Sequence, residues 1–431
     1  MVSKMINKTV AAYTLGCKVN KCDTDALLAK LTGTGFIAQH LDNAPDIIII
    51  NTCTVTHAGD KKSMQAIRRF RRQNPSAFIA VCGCMPRSQA DSIEKITAAG
   101  ADFVFDARMP EDLLAKLSTT LPLLTTTTDF STAADILNER TRAFIKIQDG
   151  CDRYCAYCIV PHVRGSVESR NPADIVAEAK AHFTRGVQEI VLTGIQVAAY
   201  GNITHSGCIT LPGLIEMLSS LPTRLRLSSI DPWAIDGAFL NVVAATPALC
   251  SHFHLSLQSG CDKTLARMNR RYTIADYANA AEKLKSIRPN LSLTTDIIVG
   301  FPGESNKDFE ESLRFAEEMG FAQIHVFEYS PREGTPAASF PEQITSQIKT
   351  SRGGEMRALA QTLKERFFHS QIGKTTSVLF ETKVKGTIEE TWQGHTDNYC
   401  MVQVKGTNLA NTICSVLITG ISANGLIGTL A

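Results

Sequence analysis

Three cysteines lie within eight residues in the segment GCDRYCAYCIVP, at positions 151, 155 and 158. Thiols packed so closely are typical of a metal or cluster site, because scattered core cysteines rarely fall at such compact spacing. His162, four residues after Cys158, could complete a Cys₃His set for zinc. A 4Fe–4S cluster held by only three cysteines would instead keep one iron open to a small molecule. The spacing alone leaves both interpretations open.

Three other cysteines, Cys17, Cys53 and Cys84, are far apart in sequence, but each directly follows a predicted strand. Because parallel strands end at one edge of their sheet, we expect these three thiols to converge there. Cys82 falls inside its strand and Cys22 in the following helix, so we interpret both as structural. The sequence therefore predicts a second site for a metal or cluster.

Short apolar runs alternate with helical patterns over residues 1–120, which predicts a parallel α/β sheet. The predicted strands are 8–14, 46–52, 77–82 and 102–105, and the predicted helices are 23–35, 60–72 and 88–100. A Thr-rich, aperiodic stretch follows at 117–135, and we place a linker at 121–138.

A second alternating series occupies residues 139–370 and predicts a partial TIM-like (β/α)6 barrel. Its predicted strands are 142–148, 189–194, 224–229, 252–259, 291–300 and 323–330. The three-cysteine loop follows the first of them, at the face where such barrels carry their active sites. Residues 343–369 read as a helix interrupted at Gly353 and Gly354. The tail, 371–431, is rich in β-formers and turns and predicts a small antiparallel β-barrel.

The overall composition of the 431 residues, 44% hydrophobic and 20% charged, is that of a globular multidomain protein. We expect no membrane segment, because no apolar run approaches the length of a membrane span, and the N-terminus has no signal-peptide pattern. A cytoplasmic location is therefore predicted, where thirteen cysteines would be thiols or metal ligands rather than disulfides.

The compact cysteine motif after the first strand of a partial barrel, with Tyr157 before its last cysteine, resembles the radical S-adenosylmethionine (SAM) superfamily. With the dispersed cysteines and the β-rich tail, the whole chain resembles the methylthiotransferase family. The segments that resemble the barrel of that family are TGIQ (193–196), LSSIDP (227–232), LSLQSGCDKTLARMNR (255–270), DIIVGFPGE (296–304) and FEYSPREGTPA (327–337).

The resemblance implies two 4Fe–4S clusters, an auxiliary one on Cys17, Cys53 and Cys84 and a radical-generating one on the three loop cysteines. It implies that SAM chelates the open iron of the second cluster, which makes His162 a bystander. The residues expected on the SAM side are Tyr157, Thr193, Gly194, Gln196, Ser229 and Gln258. The tail would be a TRAM domain, which contacts RNA in tRNA-modifying members.

In the mechanism that the resemblance implies, one SAM methylates a sulfur at the auxiliary cluster and a second is cleaved reductively. The resulting adenosyl radical takes hydrogen from carbon 2 of an adenine, which then receives the methylthio group. A flavodoxin- or ferredoxin-type donor would supply electrons. No general acid or base is needed at that carbon, so no catalytic residue is assigned beyond the cluster ligands.

The substrate implied by LGCKVN, by NTCTVTH before Lys61 and Lys62, and by HVFEYS is N(6)-threonylcarbamoyladenosine, beside the anticodon of tRNA. Isopentenyl-adenosine tRNA and an aspartate of a ribosomal protein remain alternatives within the family. A zinc-bearing RNA-binding protein is the non-enzymatic alternative.

A basic helix offers a candidate RNA-binding surface, because 61–72 carries six basic residues and no acidic one. The residues assigned to anticodon-arm phosphates are Lys61, Lys62, Arg68, Arg69 and Arg72. A solvated helix face is the alternative interpretation. Nothing in the sequence demands more than a monomer.

Overall fold

The computed structural model describes residues 8–120, 141–201, 209–423 and 425–431. It confirms the predicted fold class, with a parallel α/β sheet, an open barrel of parallel strands and a small closed β-barrel following one another along the chain. The linker predicted at 121–138 lies outside the described residues. No helix in the described ranges combines the length and the apolar character needed to cross a membrane.

The N-terminal sheet has five parallel strands in the order β2-β1-β3-β4-β5. The strands are β1 (Thr9–Thr14), β2 (Ile37–Ala38), β3 (Ile47–Thr52), β4 (Phe78–Gly83) and β5 (Phe103–Val104). The helices are α1 (Lys18–Thr32), α2 (His57–Gln73), α3 (Ser92–Ala98) and α4 (Pro110–Thr120). Four consecutive isoleucines, Ile47–Ile50, are fully buried in β3 and divide between the cores on the two faces of the sheet. Such an unbroken apolar run suits a central parallel strand covered by helices on both faces.

The sequence did not predict two elements of this domain. Strand β2 is only two residues long, too short for an alternation to register. Helix α4 takes in 117–120 of the Thr-rich stretch, and Leu113 and Leu117 on it are fully buried. Burial of that apolar pair, spaced four residues apart on one face, outweighs the weak helix propensity of threonine.

All six predicted barrel strands are present, most of them shorter than expected. They are β6 (Arg142–Lys146), β9 (Glu189–Thr193), β10 (Arg224–Leu227), β11 (His252–His254), β12 (Ser292–Val299) and β13 (Gln323–Glu328). A two-stranded ribbon, β7 (Gln148–Asp149) with β8 (Glu168–Ser169), lies after β6. Backbone hydrogen bonds of Ile230 with His254 and Ser256 join the two halves β6-β9-β10 and β11-β12-β13. No pairing of described residues joins β6 to β13, so the barrel is open there.

Helices alternate with the strands of this barrel, and one of them corrects a prediction. They are α5 (Val160–Arg164), α6 (Pro172–Thr184), α7 (Leu211–Leu218), α8 (Gly237–Ala245), α9 (Asp262–Arg267), α10 (Ile274–Ile287), α11 (Asn306–Met319) and α12 (Ser346–His369). The interruption expected at Gly353 and Gly354 is wrong, because α12 runs through both. A Cβ on Gly353 would lie 3.0 Å from Glu328 Oε1, so this glycine permits close packing of the helix on β13.

The C-terminal barrel closes in the order β14-β15-β16-β18-β17. Its strands are β14 (Thr375–Lys383), β15 (Thr391–Thr396), β16 (Met401–Lys405), β17 (Ile413–Ser422) and β18 (Gly425–Leu430). The prediction of an antiparallel barrel needs one correction, because β16 pairs with β18 in parallel. That pair closes the barrel and leaves no open edge between these strands.

A buried arginine fixes this barrel against the larger one. Arg226 on β10 is 1% exposed and donates to both carboxylate oxygens of Glu189, at 2.7 and 2.9 Å. The same guanidinium donates to the Asp397 carbonyl at 2.9 Å and lies 4.6 Å from the centroid of the Tyr399 ring. Tyr399 thereby reaches the amino ends of the barrel strands, opposite the cysteine loop.

Candidate metal centres

The loop that carries Cys151, Cys155 and Cys158 is held by backbone contacts at the mouth of the open barrel. Gly150 before it has φ +71°, and a Cβ there would lie 1.7 Å from the Ser166 carbonyl oxygen, so only glycine fits. The Cys151 amide donates to the Gly165 carbonyl at 3.0 Å, and the Cys158 amide to the Cys155 carbonyl at 2.9 Å. These contacts hold the backbone of the loop in the form of an arch.

Polar side chains from neighbouring barrel loops reach the sulfurs of this arch. The side-chain amide of Gln196 lies 3.4 Å from Cys151 Sγ, and an Arg270 guanidinium nitrogen lies 3.4 Å from Cys155 Sγ. Arg270 also pairs with Asp231. Gln196 was among the expected SAM-side residues, whereas Arg270 and Asp231 were not, although both lie in segments that carried the family resemblance. Donors around a cluster tune its potential and hold its ligands.

The remaining residues expected on the SAM side lie at or just beyond the carboxyl ends of strands. Thr193 ends β9 and is 1% exposed, and a Cβ on Gly194 beside it would lie 2.9 Å from Gln148 Oε1. Ser229 lies two residues beyond β10 and is exposed. Gln258, with φ +71°, exchanges backbone hydrogen bonds with β12 at 2.9 Å. Tyr157 is half-buried against Phe301. Their contact with SAM remains a prediction.

The dispersed cysteines lie together at the carboxyl edge of the N-terminal sheet. Cys17 precedes α1, and a Cβ on its neighbour Gly16 would lie 3.0 Å from Cys53 Cβ. The Cys84 amide donates to the carbonyl of Thr52, the residue before Cys53, at 3.0 Å. Cys82 is fully buried in β4.

The protein environment keeps most of these thiols protonated when no metal is bound. Burial raises the pKa of Cys84 and Cys151 to about 11 and that of Cys158 to about 12. Burial also raises the pKa of Cys53. A metal that binds these thiols must therefore displace protons. These donor sets fit two iron–sulfur clusters.

The two cysteine sets are neighbours. Ile159, directly after Cys158, packs with Val163 against Cys84, and all three are buried. Arg164, at the end of the same short helix, donates to Asp23 of α1 at 2.9 Å and hydrogen-bonds Cys84, which counters the effect of burial on the pKa of that thiol. The sequence analysis did not predict this contact. The Cys84 end of the dispersed set therefore lies against the segment that follows the cysteine loop.

Ligand spacing does not favour the zinc alternative. Zinc about 2.3 Å from each thiolate brings its ligand atoms to about 4 Å from one another. In the described ranges, the one set of three histidine, cysteine or carboxylate ligand atoms within 4.8 Å of one another belongs to His254, Asp296 and His325. His162 is exposed and lies edge-on to Tyr154 instead.

The basic helix α2 begins four residues after Cys53. The candidate RNA-binding residues on it, all of them exposed, are Lys61, Lys62, Arg68, Arg69 and Arg72. Ile67 and Phe70 face the sheet, so the basic face points outward. The Arg69 guanidinium lies 4.4 Å from the Phe70 ring centroid, which holds that side chain against the protein surface. RNA binding by this face remains a prediction.

Solved structures with a related fold include a radical S-adenosylmethionine methyltransferase, TsrM, from Kitasatospora setae, with cobalamin and a 4Fe–4S cluster bound. Its TM-score is 0.58 at 13% identity, over 77% of this chain and 74% of that one. A second is the cobalamin-dependent S-adenosylmethionine radical enzyme OxsB, with a TM-score of 0.52 and 14% identity over 84% of this chain and 57% of that one. These likenesses concern the fold alone.

The sequence comparisons are more specific. Residues 145–316 match the model of the radical SAM superfamily, and residues 9–106 match that of the uncharacterized protein family UPF0004. The chain is 35% identical to the threonylcarbamoyladenosine tRNA methylthiotransferase MtaB of Bacillus subtilis, over 93% of this chain and 91% of that protein. The same enzyme of Chlamydia pneumoniae is 35% identical over 99% of both chains. The tRNA-2-methylthio-N(6)-dimethylallyladenosine synthase of Lawsonia intracellularis is 32% identical over 98% of this chain and 99% of that protein. The chain therefore belongs to the radical-SAM methylthiotransferases, enzymes that methylthiolate tRNA, and of these three relatives the two threonylcarbamoyladenosine enzymes share more of its sequence.

Proposed function

We propose that this enzyme transfers a methylthio group to carbon 2 of N(6)-threonylcarbamoyladenosine next to the anticodon in tRNA, with two 4Fe–4S clusters and two molecules of SAM per cycle. The observation that carries the two-cluster proposal is the contact of Cys84 with Ile159 and Val163, which brings the auxiliary cysteines beside the loop that holds the radical-SAM cysteines. The MtaB enzymes, at 35% identity, support the substrate.

The residues divide the work between holding cofactors and shaping the site. Cys151, Cys155 and Cys158 would hold the cluster that binds SAM, and Cys17, Cys53 and Cys84 the cluster that binds sulfur. Reduced cluster and SAM together supply hydrogen abstraction from an unactivated carbon, which no side chain can perform. Arg270 contacts the sulfur of Cys155, and its pairing with Asp231 keeps the guanidinium in place. A flavodoxin- or ferredoxin-type protein would deliver the electrons, and the enzyme would act as a cytoplasmic monomer.

Nucleosides from a strain lacking this gene test the substrate. We expect the 2-methylthio form of threonylcarbamoyladenosine to disappear and its unmethylthiolated precursor to accumulate, as measured by mass spectrometry of digested tRNA. A plasmid copy should restore the product. Dimethylallyl synthases are 32–33% identical to this chain, so the same digest is examined for the isopentenyl product. Loss of that product instead of the threonylcarbamoyl one would refute the assignment.

The basic face of α2 leads to a prediction about tRNA affinity. Replacing Lys61, Arg68 and Arg72 together by alanine is expected to weaken binding of all tRNAs alike, because phosphate contacts carry no sequence information. The slope of log K against log salt should become shallower by about 2 to 3, since each phosphate contact contributes about 0.7 to 0.9. Filter binding at several salt concentrations measures this. Alanine at Lys95 and Lys116, exposed on α3 and α4, is the control, and an equal loss there would count against a specific surface.

A further inference from the structure

The inner face of the open barrel is polar beneath the cysteine loop. Strand pairing places Asp296 beside His325, and Ile298 is the next residue of β12 on that face. Ile298 and Tyr157 of the cysteine loop both pack against one apolar cluster, which includes Ala156 and Phe301. Because residues two apart on a strand are separated by about 7 Å, Asp296 and His325 lie one layer below the site of the clusters. A group that extends from the reacting base into the barrel would meet them first.

His254 points a buried, unsatisfied nitrogen into this layer. Its Nδ1 lies 3.1 Å from Thr294 Oγ1, and its Nε2 lies 3.4 Å from Asp296 Oδ2. Nε2 is shielded from solvent and makes no hydrogen bond. Together with His325, these side chains form the set whose ligand atoms lie within 4.8 Å of one another. Buried polar atoms are normally satisfied, so the arrangement calls for a ligand.

Lys18 adds a positive charge that a carboxylate ligand could neutralise. Lys18, next to Cys17, is exposed, and within the described residues its ammonium has no hydrogen-bond or ion-pair partner. Burial lowers the pKa of His325, and the nearby charge of Lys18 adds to that lowering. Burial and the charge of Arg226 act in the same direction on the pKa of His252, one layer below. Asp296 carries the one negative charge of the set, and Arg226 is already paired with Glu189. The ammonium of Lys18 is therefore the charge left to attract a carboxylate.

Space for a ligand continues below the layer. A cavity of about 200 Å³ opens there. Its polar lining residues are Ser292, Thr294, Gln323, Lys364, His395 and Tyr399. The volume is several times the roughly 30 Å³ share of one water molecule, so a small polar group and its hydration fit.

We propose that Lys18, His254, Asp296 and His325, the lumen cluster, bind the polar substituent on N(6) of the target adenosine. This assignment rests on the proposed function, because the threonylcarbamoyl group ends in a carboxylate and carries a hydroxyl and urea N–H groups. Lys18 pairs with the carboxylate, Asp296 accepts from an N–H or the hydroxyl, and the imidazoles hydrogen-bond the remaining oxygens. An isopentenyl group has no polar atom and would leave the cluster unsatisfied. Sites built to hydrogen-bond a substrate reject analogues that lack the partner group.

The exposed aromatic ring of Phe327 fits the same arrangement. It is 45% exposed and pairs in register with Ile298, one layer above the cluster. An adenine stacked on this ring would lie between the cysteines and the lumen cluster. The N(6) group is attached to carbon 6 of adenine, which is meta to carbon 2. When carbon 2 faces the cysteines, the substituent on N(6) therefore points away from them.

The test compares two anticodon stem-loops, one with threonylcarbamoyladenosine and one with its carboxamide, which lacks the negative charge. For the reconstituted wild-type enzyme, we expect kcat/KM for methylthiolation to be about 10- to 100-fold lower on the carboxamide, the worth of a charged hydrogen bond. For Lys18→Met, kcat/KM should be low on both RNAs and should differ between them by less than threefold. The ratio is measured within one preparation, so cluster occupancy cancels. Lys30→Met, on the far end of the same helix and paired with Glu111, should keep the wild-type ratio.

The possible outcomes distinguish failure of the lumen-cluster proposal from failure of the proposed function. A wild-type enzyme inactive on both RNAs but active on an isopentenyl stem-loop would overturn the proposed function and this pocket together. A wild-type enzyme active on the native RNA, with Lys18→Met retaining the full discrimination, would overturn the pocket alone. Stoichiometric zinc in the iron-loaded protein, lost in His325→Ala, would show that the cluster holds a metal instead.

Discussion

Replacing Cys84 by alanine is expected to abolish methylthiolation of tRNA while reductive cleavage of SAM continues. Cys84 belongs to the N-terminal set of cysteines, whereas the loop cysteines that would support SAM cleavage are on a separate arch of the barrel. Iron should fall from about eight atoms per chain to about four, because one of two four-iron clusters loses a ligand. Iron analysis, 5′-deoxyadenosine release and product formation are measured on the same anaerobically reconstituted sample.

Cys82 supplies the matched control for this prediction. It lies two residues earlier in β4, is fully buried and belongs to a core cluster of the N-terminal domain that does not include Cys84. Cys82→Ala removes the same sulfur atom and should keep both the iron and the activity, at a stability cost of about 1 kcal/mol. Cys151→Ala is the converse case, with SAM cleavage itself lost. Full iron in Cys84→Ala together with half the iron in Cys82→Ala would show that the ligand was misassigned.

The convergence of Cys17, Cys53 and Cys84 could be predicted because it follows from a topological rule. Once the strands before them are recognised as parallel neighbours, their carboxyl ends must meet at one edge. The isoleucine run of β3 made that recognition easy, since a strand buried on both faces needs no alternation. The barrel strands β6 and β13 were predictable on a different ground, because their residues alternate between buried and less buried positions.

Contacts between domains could not be predicted in this way. Arg164 reads as an ordinary charged residue after the cysteine motif, yet it is 6% exposed and meets Asp23 from a helix more than a hundred residues earlier. Lys18 is equally ordinary in LGCKVN, yet its charge, from the N-terminal domain, helps to lower the pKa of His325 in the barrel. Hydrophobic period and strand order carry no information about which charged side chains meet across such an interface.

Arg164→Met is expected to destabilise the junction between the N-terminal sheet and the barrel. The guanidinium lies between Asp23 and Asp149, at 2.9 and 3.1 Å, and Lys146 is the only other cation that pairs with these carboxylates within the described residues. Its removal leaves two largely buried carboxylates with one partner, which costs about 3–5 kcal/mol. Thermal unfolding of the reconstituted protein should begin at a lower temperature, and product formed per SAM cleaved should fall because Cys84 loses its contact with Arg164.

Charge balance provides the control that separates this electrostatic effect from a simple loss of packing. In Arg164→Met combined with Asp23→Asn, one cation faces one carboxylate again, so the double variant should recover part of the lost thermal stability despite having two substitutions. If the double variant is less stable than Arg164→Met by the full cost of Asp23→Asn alone, the two residues act independently and the ion pair does not hold the domains together. The yield of product per SAM cleaved discriminates further. Restoring the charge balance does not restore the hydrogen bond to Cys84, so that yield should stay low in the double variant even where stability returns.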